Sequence, residues 1–347
     1  MTLRTLAPSE RVAMKHGAGG RAMRALIEQV FLREADRADT PDRVGLGALD
    51  DGAAFRVGSD WLVVTTDSHV IHPRVFPGGD IGRLAIAGTV NDLAMMGVTE
   101  PLGLTCAVVI EEGFPRHELD ATQASMLATC REAGISVVTG DTKVMGRGEI
   151  DGLVINTTGV GLTRRLVRDA GLQPGDAIIV TGTIGDHGMA VMAARHALSI
   201  AGDLRSDVAP LNGLVRAVLA EAGDAVTAMK DPTRGGVASA LAEMATKAGV
   251  GIRLEEAALP IRDTVRAATD LLGLDPLHVA NEGKALIGVA ADAAERVLAV
   301  LRRHQYGRDA AIIGRATADH VGALVLDTGL GLRLVAEPEG ELLPRIC

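Results

Sequence analysis

Short β-like runs and longer helical runs of apolar positions alternate along the whole chain. Residues 53–57 and 61–66 form an alternating pair joined at Gly58-Ser59-Asp60, which predicts a β-hairpin. Residues 81–96 are apolar nearly all round, between a Gly79-Asp80 cap and Gly97, which predicts a buried helix. The pattern predicts further helices at 116–133, 187–197 and 236–248, and further strands at 135–139, 153–160, 177–181, 285–290, 322–326 and 332–336. The pattern therefore mixes strands and helices along the whole chain.

Two domains are expected in a chain of 347 residues, each large enough for its own core. A polar, turn-rich stretch that runs from Arg164 to Gly175 separates the two halves. We therefore predict domains at 1–165 and 172–337, followed by a mobile tail at 338–347. Fully extended, these ten residues would reach ~35 Å.

The composition excludes several classes of protein. The 35 basic and 44 acidic residues give a net charge of −9, and aromatic residues make up 2% of the chain, so nucleic-acid binding is not expected. No apolar run reaches the roughly 18 residues that a membrane span needs. The three cysteines have no C-x-x-C spacing, which fits a reducing compartment. These features predict a soluble cytoplasmic protein without a membrane partner.

Five aspartates, Asp50, Asp51, Asp67, Asp92 and Asp141, are unusually placed. A hairpin turn centred on Ser59 would set Asp51 opposite Asp67, where like charges need a cation between them. Asp92 falls in the apolar helix and therefore requires a partner. Each aspartate alone could be an ordinary turn or capping residue, but together they predict a Mg²⁺ site.

Two glycine-containing loops could approach an anion. Gly17-Ala18-Gly19-Gly20 does not follow a strand, so it is not a dinucleotide fingerprint, but its backbone N–H groups could face a phosphate. Asp231-Pro232-Thr233-Arg234-Gly235-Gly236 opens a predicted helix, and Arg234 could bind phosphate there. An ordinary helix start explains the second loop equally well. The turn at 182–188 is similar, and there we favour an ordinary helix start in which Asp186 is the N-cap.

The sequence ends in Pro344-Arg345-Ile346-Cys347. A thiol on a terminal residue can be carried by the tail into an active site, of its own subunit or of a partner. The alternative is a terminal residue without a role.

Several segments together resemble the HypE family of hydrogenase maturation factors. They are HGAGG (16–20), DDGA (50–53), TTDSHV (65–70), FPGGDIGRLAIAGTVNDLAMMG (76–97), TGDTKV (139–144), INTTG (155–159), GDHGMA (185–190), DPTRGG (231–236), NEGK (281–284) and the final PRIC. The resemblance covers essentially the whole chain, and PRIC is its most specific part. Ala18 stands where a serine is common, which removes one possible phosphate donor.

The resemblance implies an α+β fold of two domains, that of the aminoimidazole ribonucleotide synthetase superfamily, with N-terminal sheets that form a barrel when the homodimer assembles. It implies ATP and Mg²⁺ between the barrel and the C-terminal domain. It also implies an ATP-dependent carbamoyl dehydratase, a lyase: the carbamoyltransferase HypF loads Cys347, the S-carboxamide is dehydrated to a thiocyanate, and the cyano group passes to iron held by HypC–HypD for the nickel–iron hydrogenase.

The same resemblance implies roles for individual residues. The residues implied to bind the metal are Asp51, Asp67, Asp92 and Asp141. The nucleotide site implied by the resemblance also includes Asp50, Thr142, Arg234, Gly19 and Gly20. Cys347 carries the substrate, and Lys143 and Glu282 assist proton transfer, although Lys143 could be only a counter-charge for phosphate. Two rival functions remain open: a kinase of the same superfamily that acts on a free small molecule, and a nucleotide-binding adaptor whose thiol ligates metal.

Overall fold

The protein is described here by a computed structural model that covers residues 11–32, 40–198, 200, 202–338 and 346–347. The first domain contains strands β1 Arg43–Val44, β2 Ala53–Val57, β3 Asp60–His69, β4 Val75–Phe76, β5 Gly79–Asp80, β6 Pro101–Glu111, β7 Val137–Met145 and β8 Leu153–Thr163, with helices α1 Gly20–Leu26, α2 Ile81–Met95 and α3 Arg116–Ala133. Strands β4 and β5 form a separate small ribbon.

The first sheet has the strand order β1-β2-β3-β8-β6-β7 and is antiparallel except for the parallel pair β6–β7. Helices α2 and α3 pack on one of its faces. β7 lies at an open edge of the sheet, and its residues are exposed along nearly the whole strand. Within the single chain this sheet is therefore open and does not close into a barrel.

The hairpin between β2 and β3 has a two-residue turn, Gly58-Ser59, because Val57 pairs with Asp60. The expected register was centred on Ser59 and is wrong by one residue. A slip of one residue sends every side chain to the opposite face of the sheet, so Asp67 does not lie across from Asp51. Asp51 instead precedes β2, in the loop that leads into it.

Helix α2 is buried almost throughout, as the apolar sequence predicts. The Asp80 carboxylate accepts a hydrogen bond from the Arg83 backbone N–H at 2.9 Å, which confirms the predicted N-cap. Small residues let the helix lie close to the sheet: a Cβ on Gly88 would come within 2.9 Å of His69 Nε2. This close approach brings the middle of α2 against the end of β3.

The second domain contains strands β9 Ala177–Val180, β10 Val226–Lys230, β11 Gly251–Glu255, β12 Leu286–Val289, β13 Ala311–Thr317, β14 Leu324–Asp327 and β15 Leu332–Val335, with helices α4 Asp186–Arg195, α5 Asn212–Ala222, α6 Gly236–Ala248, α7 Asp263–Leu272 and α8 Ala294–Arg303. Its sheet has the order β10-β12-β9-β13-β11-β14-β15. Helix α6 packs on one face of this sheet, and α5 with α8 packs on the other.

Helices α4 and α7 contribute to the same apolar cluster as α2 and α3, so a continuous core joins the two domains. The predicted α+β fold and the predicted elements are confirmed to within a few residues, except that the short strand 135–139 is the longer β7. The pattern missed the short strands β1, β4 and β5, the strands β6, β10, β11 and β13, and the helices α1, α5, α7 and α8. Most of the predicted tail, residues 339–345, lies outside the described residues. None of the described helices is both long and apolar enough to cross a membrane.

Replacing Gly97 by alanine should lower the thermal denaturation midpoint by several degrees. Gly97 ends α2 at φ +89°, and a Cβ there would lie 2.4 Å from the Arg165 carbonyl oxygen. Gly58→Ala is the matched control, because Gly58 also has positive φ (+63°) but a Cβ there meets nothing within 4 Å. Equal midpoint shifts in the two variants would contradict this account of Gly97.

Candidate active site

Acidic and basic side chains from both domains meet where the domains join. We call this group the junction site. The first domain contributes Asp51, Asp67 and Asp92, and the second contributes Lys230, Asp231, Arg234 and Glu282. The site thus assembles segments that are distant in sequence.

Asp51 is bound by a lysine from the other domain. Lys230, the last residue of β10, donates from Nζ to Asp51 Oδ1 at 2.8 Å and lies 3.3 Å from Asp169 Oδ2. Lys247 Nζ reaches the same Asp169 oxygen at 2.6 Å. Burial acts to lower the pKa of Lys230, but the carboxylates of Asp51 and Asp169 outweigh it and raise that pKa well above its usual value. Lys230 is therefore a fixed cation.

Asp50 lies beside this network rather than within the junction site. Its Oδ2 accepts from Arg168 Nε at 3.2 Å. Burial, with the nearby Asp169 and Asp51 carboxylates, raises the pKa of Asp50 to about 6. Its role is to support the loop that positions Asp51, whose own Oδ2 is buried and has no hydrogen-bond partner among the described residues.

Asp92 has the partner that its position in an apolar helix requires: Thr65 of β3 donates its hydroxyl to Asp92 Oδ2 at 2.8 Å. Burial, followed by the Asp231, Asp67 and Asp51 carboxylates, raises the pKa of Asp92 well above its usual value. Burial also acts to raise the pKa of Asp67, but the imidazole of His69, 3.1 Å away, outweighs it and holds that pKa below its usual value.

Two further acids complete the junction site. Burial and the neighbouring Asp51 raise the pKa of Asp231 to about 8. Burial, then Asp231 and Asp67, raise the pKa of Glu282 well above its usual value. Glu282 Oε1 is buried without a hydrogen-bond partner in the described part of the chain. A proton acceptor of raised basicity therefore faces this junction.

The two glycine-containing loops lie against each other. A Cβ on Gly19 would come within 2.9 Å of the Arg234 backbone, and Arg234 donates a hydrogen bond to the Gly17 carbonyl at 3.2 Å. A Cβ on Gly20 would lie 2.4 Å from the Pro338 carbonyl, where the tail begins. The structure thus brings Gly19, Gly20 and Arg234 together, with Arg234 directed at the acids of the junction site.

The last two residues of the sequence, Ile346 and Cys347, pack against the rest of their own subunit. Ile346 is buried, and the Val70 N–H donates to the Cys347 carbonyl at 3.3 Å. Burial raises the pKa of the Cys347 thiol to about 12; Arg234 opposes this increase, whereas Glu282 adds to it. The thiol is therefore protonated and adjacent to both side chains.

Asp141, Thr142 and Lys143 are not brought to the junction site by this chain. Asp141 is in register with Ala107 of β6, and Ala107 is in register with Asn156 of β8. The Asn156 side chain donates a hydrogen bond to Ser68, which lies on the face opposite Asp67. Asp141 and Lys143 are exposed and form their own ion pair at 3.0 Å on the β7 edge. The three-strand separation keeps all three from Asp51, Asp67 and Asp92, and Asp141 and Lys143 also point to the opposite face of the sheet.

The acids of the junction site suit a hard cation by their chemistry. No group of three or more acidic, histidine or cysteine side chains among the described residues is arranged around one metal position. Mg²⁺, however, commonly uses one or two carboxylates and takes its other oxygens from phosphate and water. The orphaned oxygen of Asp51 fits such a partial site, as do the burial and the neighbouring carboxylates that raise the pKa of Asp92.

Sequence reasoning missed Lys230 and Lys247 as counter-charges, and it missed Asp169, the buried acid that both lysines contact. Asp231 was also missed as a site residue, because the sequence indicated it only as part of a possible phosphate-binding loop. The signal available was Lys230-Asp231 directly after a short apolar run, since charges at a strand end are placed at the edge of a sheet. Their partners lie in other segments, so spacing alone does not reveal them.

The sequence matches models of two consecutive domains described as AIR synthase related protein, the N-terminal domain at residues 49–163 and the C-terminal domain at residues 173–327. The carbamoyl dehydratase HypE of Azotobacter vinelandii is 47% identical over 339 residues, 97% of each chain. A crystal structure of a HypE–HypF complex has a TM-score of 0.83 at 43% identity, covering 90% of this chain and 100% of that chain. A crystal structure of HypE in complex with ATP has a TM-score of 0.80 at 41% identity, covering 96% and 100%.

Asp231→Asn should raise the thermal denaturation midpoint at about pH 9 by several degrees, and the gain should fade as the pH falls toward about 4. The folded pKa of about 8 exceeds the unfolded value of 3.8, so stability is lost as the pH rises through that interval. The asparagine cannot ionise and escapes that loss. Asp141→Asn is the control, because Asp141 is exposed. A pH-independent difference between wild type and Asp231→Asn would contradict the assignment.

Proposed function

The chain belongs to the HypE family of carbamoyl dehydratases, within the AIR synthase related proteins, and on that premise we propose that it uses ATP to dehydrate an S-carboxamide on its own Cys347 to a thiocyanate. The cyano group then becomes a ligand of the iron in a nickel–iron hydrogenase centre. The proposal includes ATP and Mg²⁺ as the partners of the reaction.

One observation supports the proposal above all: the Cys347 thiol lies beside Arg234 and Glu282, within the junction site of its own subunit. A carboxamide on this sulfur would meet a guanidinium and an unpartnered carboxylate oxygen at once. Those are the two kinds of group that a dehydration needs, one for negative charge and one for protons.

The proposed reaction begins with attack of the amide oxygen on the γ-phosphoryl group of ATP, which releases ADP. The oxygen has then become part of a good leaving group, and catalysis consists of positioning and charge neutralisation. Arg234 is placed to neutralise charge on the phosphoryl oxygens. The C–O bond breaks with departure of phosphate as the nitrogen loses both its protons, which leaves a carbon–nitrogen triple bond on sulfur.

Glu282 is the proposed acceptor of these protons. Its pKa is raised well above the usual value by burial first and then by Asp231 and Asp67, so the carboxylate is more basic than an exposed glutamate. Its Oε1 has no competing hydrogen bond in the described residues. Lys143 is the second proposed proton-transfer group and would need to arrive from another subunit.

Asp51, Asp67 and Asp92 are the residues that we propose would hold Mg²⁺, with Asp141 added across a dimer interface. When bound, Mg²⁺ neutralises triphosphate charge and orients the γ-phosphoryl group. The backbone of Gly19 and Gly20 is the proposed contact for phosphate oxygens, and Asp50 supports Asp51. Thr142 is assigned to the nucleotide site on the same terms as Asp141.

The proposed assembly is a cytoplasmic homodimer that works with the carbamoyltransferase HypF and with a HypC–HypD scaffold. The structure of a relative in complex with HypF supports the first partner. The exposed β7 edge, with Val138 and Val144 at 65% and 69% exposure, supports pairing between two sheets. Such pairing would close the open sheets into a shared barrel.

Glu282→Gln should still acquire a carbamoyl group on Cys347 but should dehydrate it ~10²-fold or more slowly, because the base is lost. Intact mass of the Cys347 peptide reports each step after incubation with HypF, carbamoyl phosphate and MgATP. Glu112→Gln, at an exposed glutamate, is the matched control. An unmodified Cys347 in the presence of active HypF would instead favour a small-molecule kinase.

Mixing Cys347→Ser protein with Lys143→Ala protein should restore dehydration that neither variant performs alone. In the mixed dimer, the intact Lys143 of one subunit faces the intact Cys347 of the other. The measurement is loss of water from the Cys347 peptide after subunits have exchanged. If both act within one subunit, the mixture stays inactive.

A further inference from the structure

His187, near the start of α4, makes a contact that the proposed chemistry does not use. Its Nε2 lies 2.7 Å from the Ile346 carbonyl oxygen, and both atoms are buried. Its Nδ1 lies 2.8 Å from the hydroxyl of Ser206. The ring packs edge-on against Phe76, with centroids 5.4 Å apart. The imidazole is therefore fixed on three sides.

Only one tautomer satisfies these contacts in the neutral ring. The Ile346 carbonyl can only accept a hydrogen bond, so Nε2 must carry the hydrogen and donate it. Nδ1 is then an acceptor, and the Ser206 hydroxyl must donate to it. Burial lowers the pKa of His187, which favours this neutral form.

The side chain of Ile346 makes a second, independent contact. It is 3% exposed and belongs to the buried apolar cluster that also contains Ile71 and Phe76. His187 holds the backbone of this residue while the cluster holds its side chain. The next residue makes a third contact, because the Val70 N–H donates a hydrogen bond to the Cys347 carbonyl.

We propose that His187 is a positioning residue that, together with the apolar site around Ile346, holds the Ile346 carbonyl and thereby sets the sulfur of Cys347 at the junction site. This inference rests on the proposed function, because the position of the sulfur matters only if that atom bears the substrate. The site would accept an apolar residue followed by cysteine. It holds that pair by the residue before the sulfur, so the same contacts serve the bare and the carbamoylated thiol.

The test measures alkylation of Cys347 by iodoacetamide in the full chain, without ATP or carbamoyl phosphate. Wild-type Cys347 should react much more slowly than a free peptide of the same last ten residues. His187→Phe keeps the ring packing but lacks the donor, so alkylation should be about five- to tenfold faster, which is the loss of one buried hydrogen bond. His187→Gln supplies an amide donor and should stay within about twofold of wild type.

Two more variants keep the test decisive if His187→Phe does not fold. Ile346→Ala should accelerate alkylation to a similar extent, up to the limit of the free peptide. Thr269→Val is the matched control, because Thr269 is buried in α7 and its hydroxyl bonds within its own helix; its rate should equal that of wild type. The proposal is overturned if wild-type Cys347 reacts like the peptide, or if His187→Gln and His187→Phe are equal.

Single-turnover dehydration of the carbamoylated variants separates this inference from the proposed function. His187→Phe should slow dehydration by a factor similar to its gain in alkylation, and His187→Gln should restore it. If wild-type protein is never dehydrated, the proposed function fails, but alkylation still decides whether His187 holds Ile346. If dehydration proceeds and is indifferent to His187→Phe, the positioning role fails alone.

Discussion

Buried negative charge between the two domains is the constraint on which the rest of the structure depends. Asp51 and Asp169 are each removed from water, and a buried carboxylate without a counter-charge costs several kcal/mol. Lys230 and Lys247, both from the second domain, supply that counter-charge. The two domains are therefore joined by matched ions as well as by the apolar cluster that they share.

The charge is matched at one end of the junction site and unmatched at the other. Lys230 satisfies Asp51 in part, whereas the pKa values of Asp92, Asp231 and Glu282 are raised by burial and by neighbouring carboxylates, among which Asp67 acts on all three. Their ionised forms become favourable only when positive charge is added. The Mg²⁺ ion of the proposed reaction would supply such charge locally, so the same acids that destabilise the site alone would become useful as its ligands.

Features that depend on neighbouring residues were predictable from the sequence. The cap at Asp80, the buried helix α2 and the need for a partner at Asp92 all follow from local pattern. The partner itself, Thr65, comes from another strand. The pairing of Lys230 with Asp51 joins positions 179 residues apart, which no local spacing encodes.

The incorrect hairpin register has a similar physical origin. The two-residue turn shifts the pairing of β2 with β3 by one residue, yet Asp51 and Asp67 still reach the same site, because Asp51 lies in the loop before β2 and not in the strand. Asp141 shows the same limit, because its place on an edge strand is set by how β6, β7 and β8 pair. Sheet pairing is a long-range property, and it keeps Asp141 away from the other predicted aspartates within one chain.

The docked thiol explains why a tail suits the proposed chemistry. Attack on a carbamoyl donor requires a thiolate, yet burial raises the pKa of Cys347 at this position to about 12. The neighbouring Glu282 adds to that effect, so the junction site suppresses the nucleophile. An S-carboxamide carries no charge and does not suffer this penalty. The site therefore favours the loaded sulfur over the ionised one, and the two reactions of the sulfur are best performed in different surroundings.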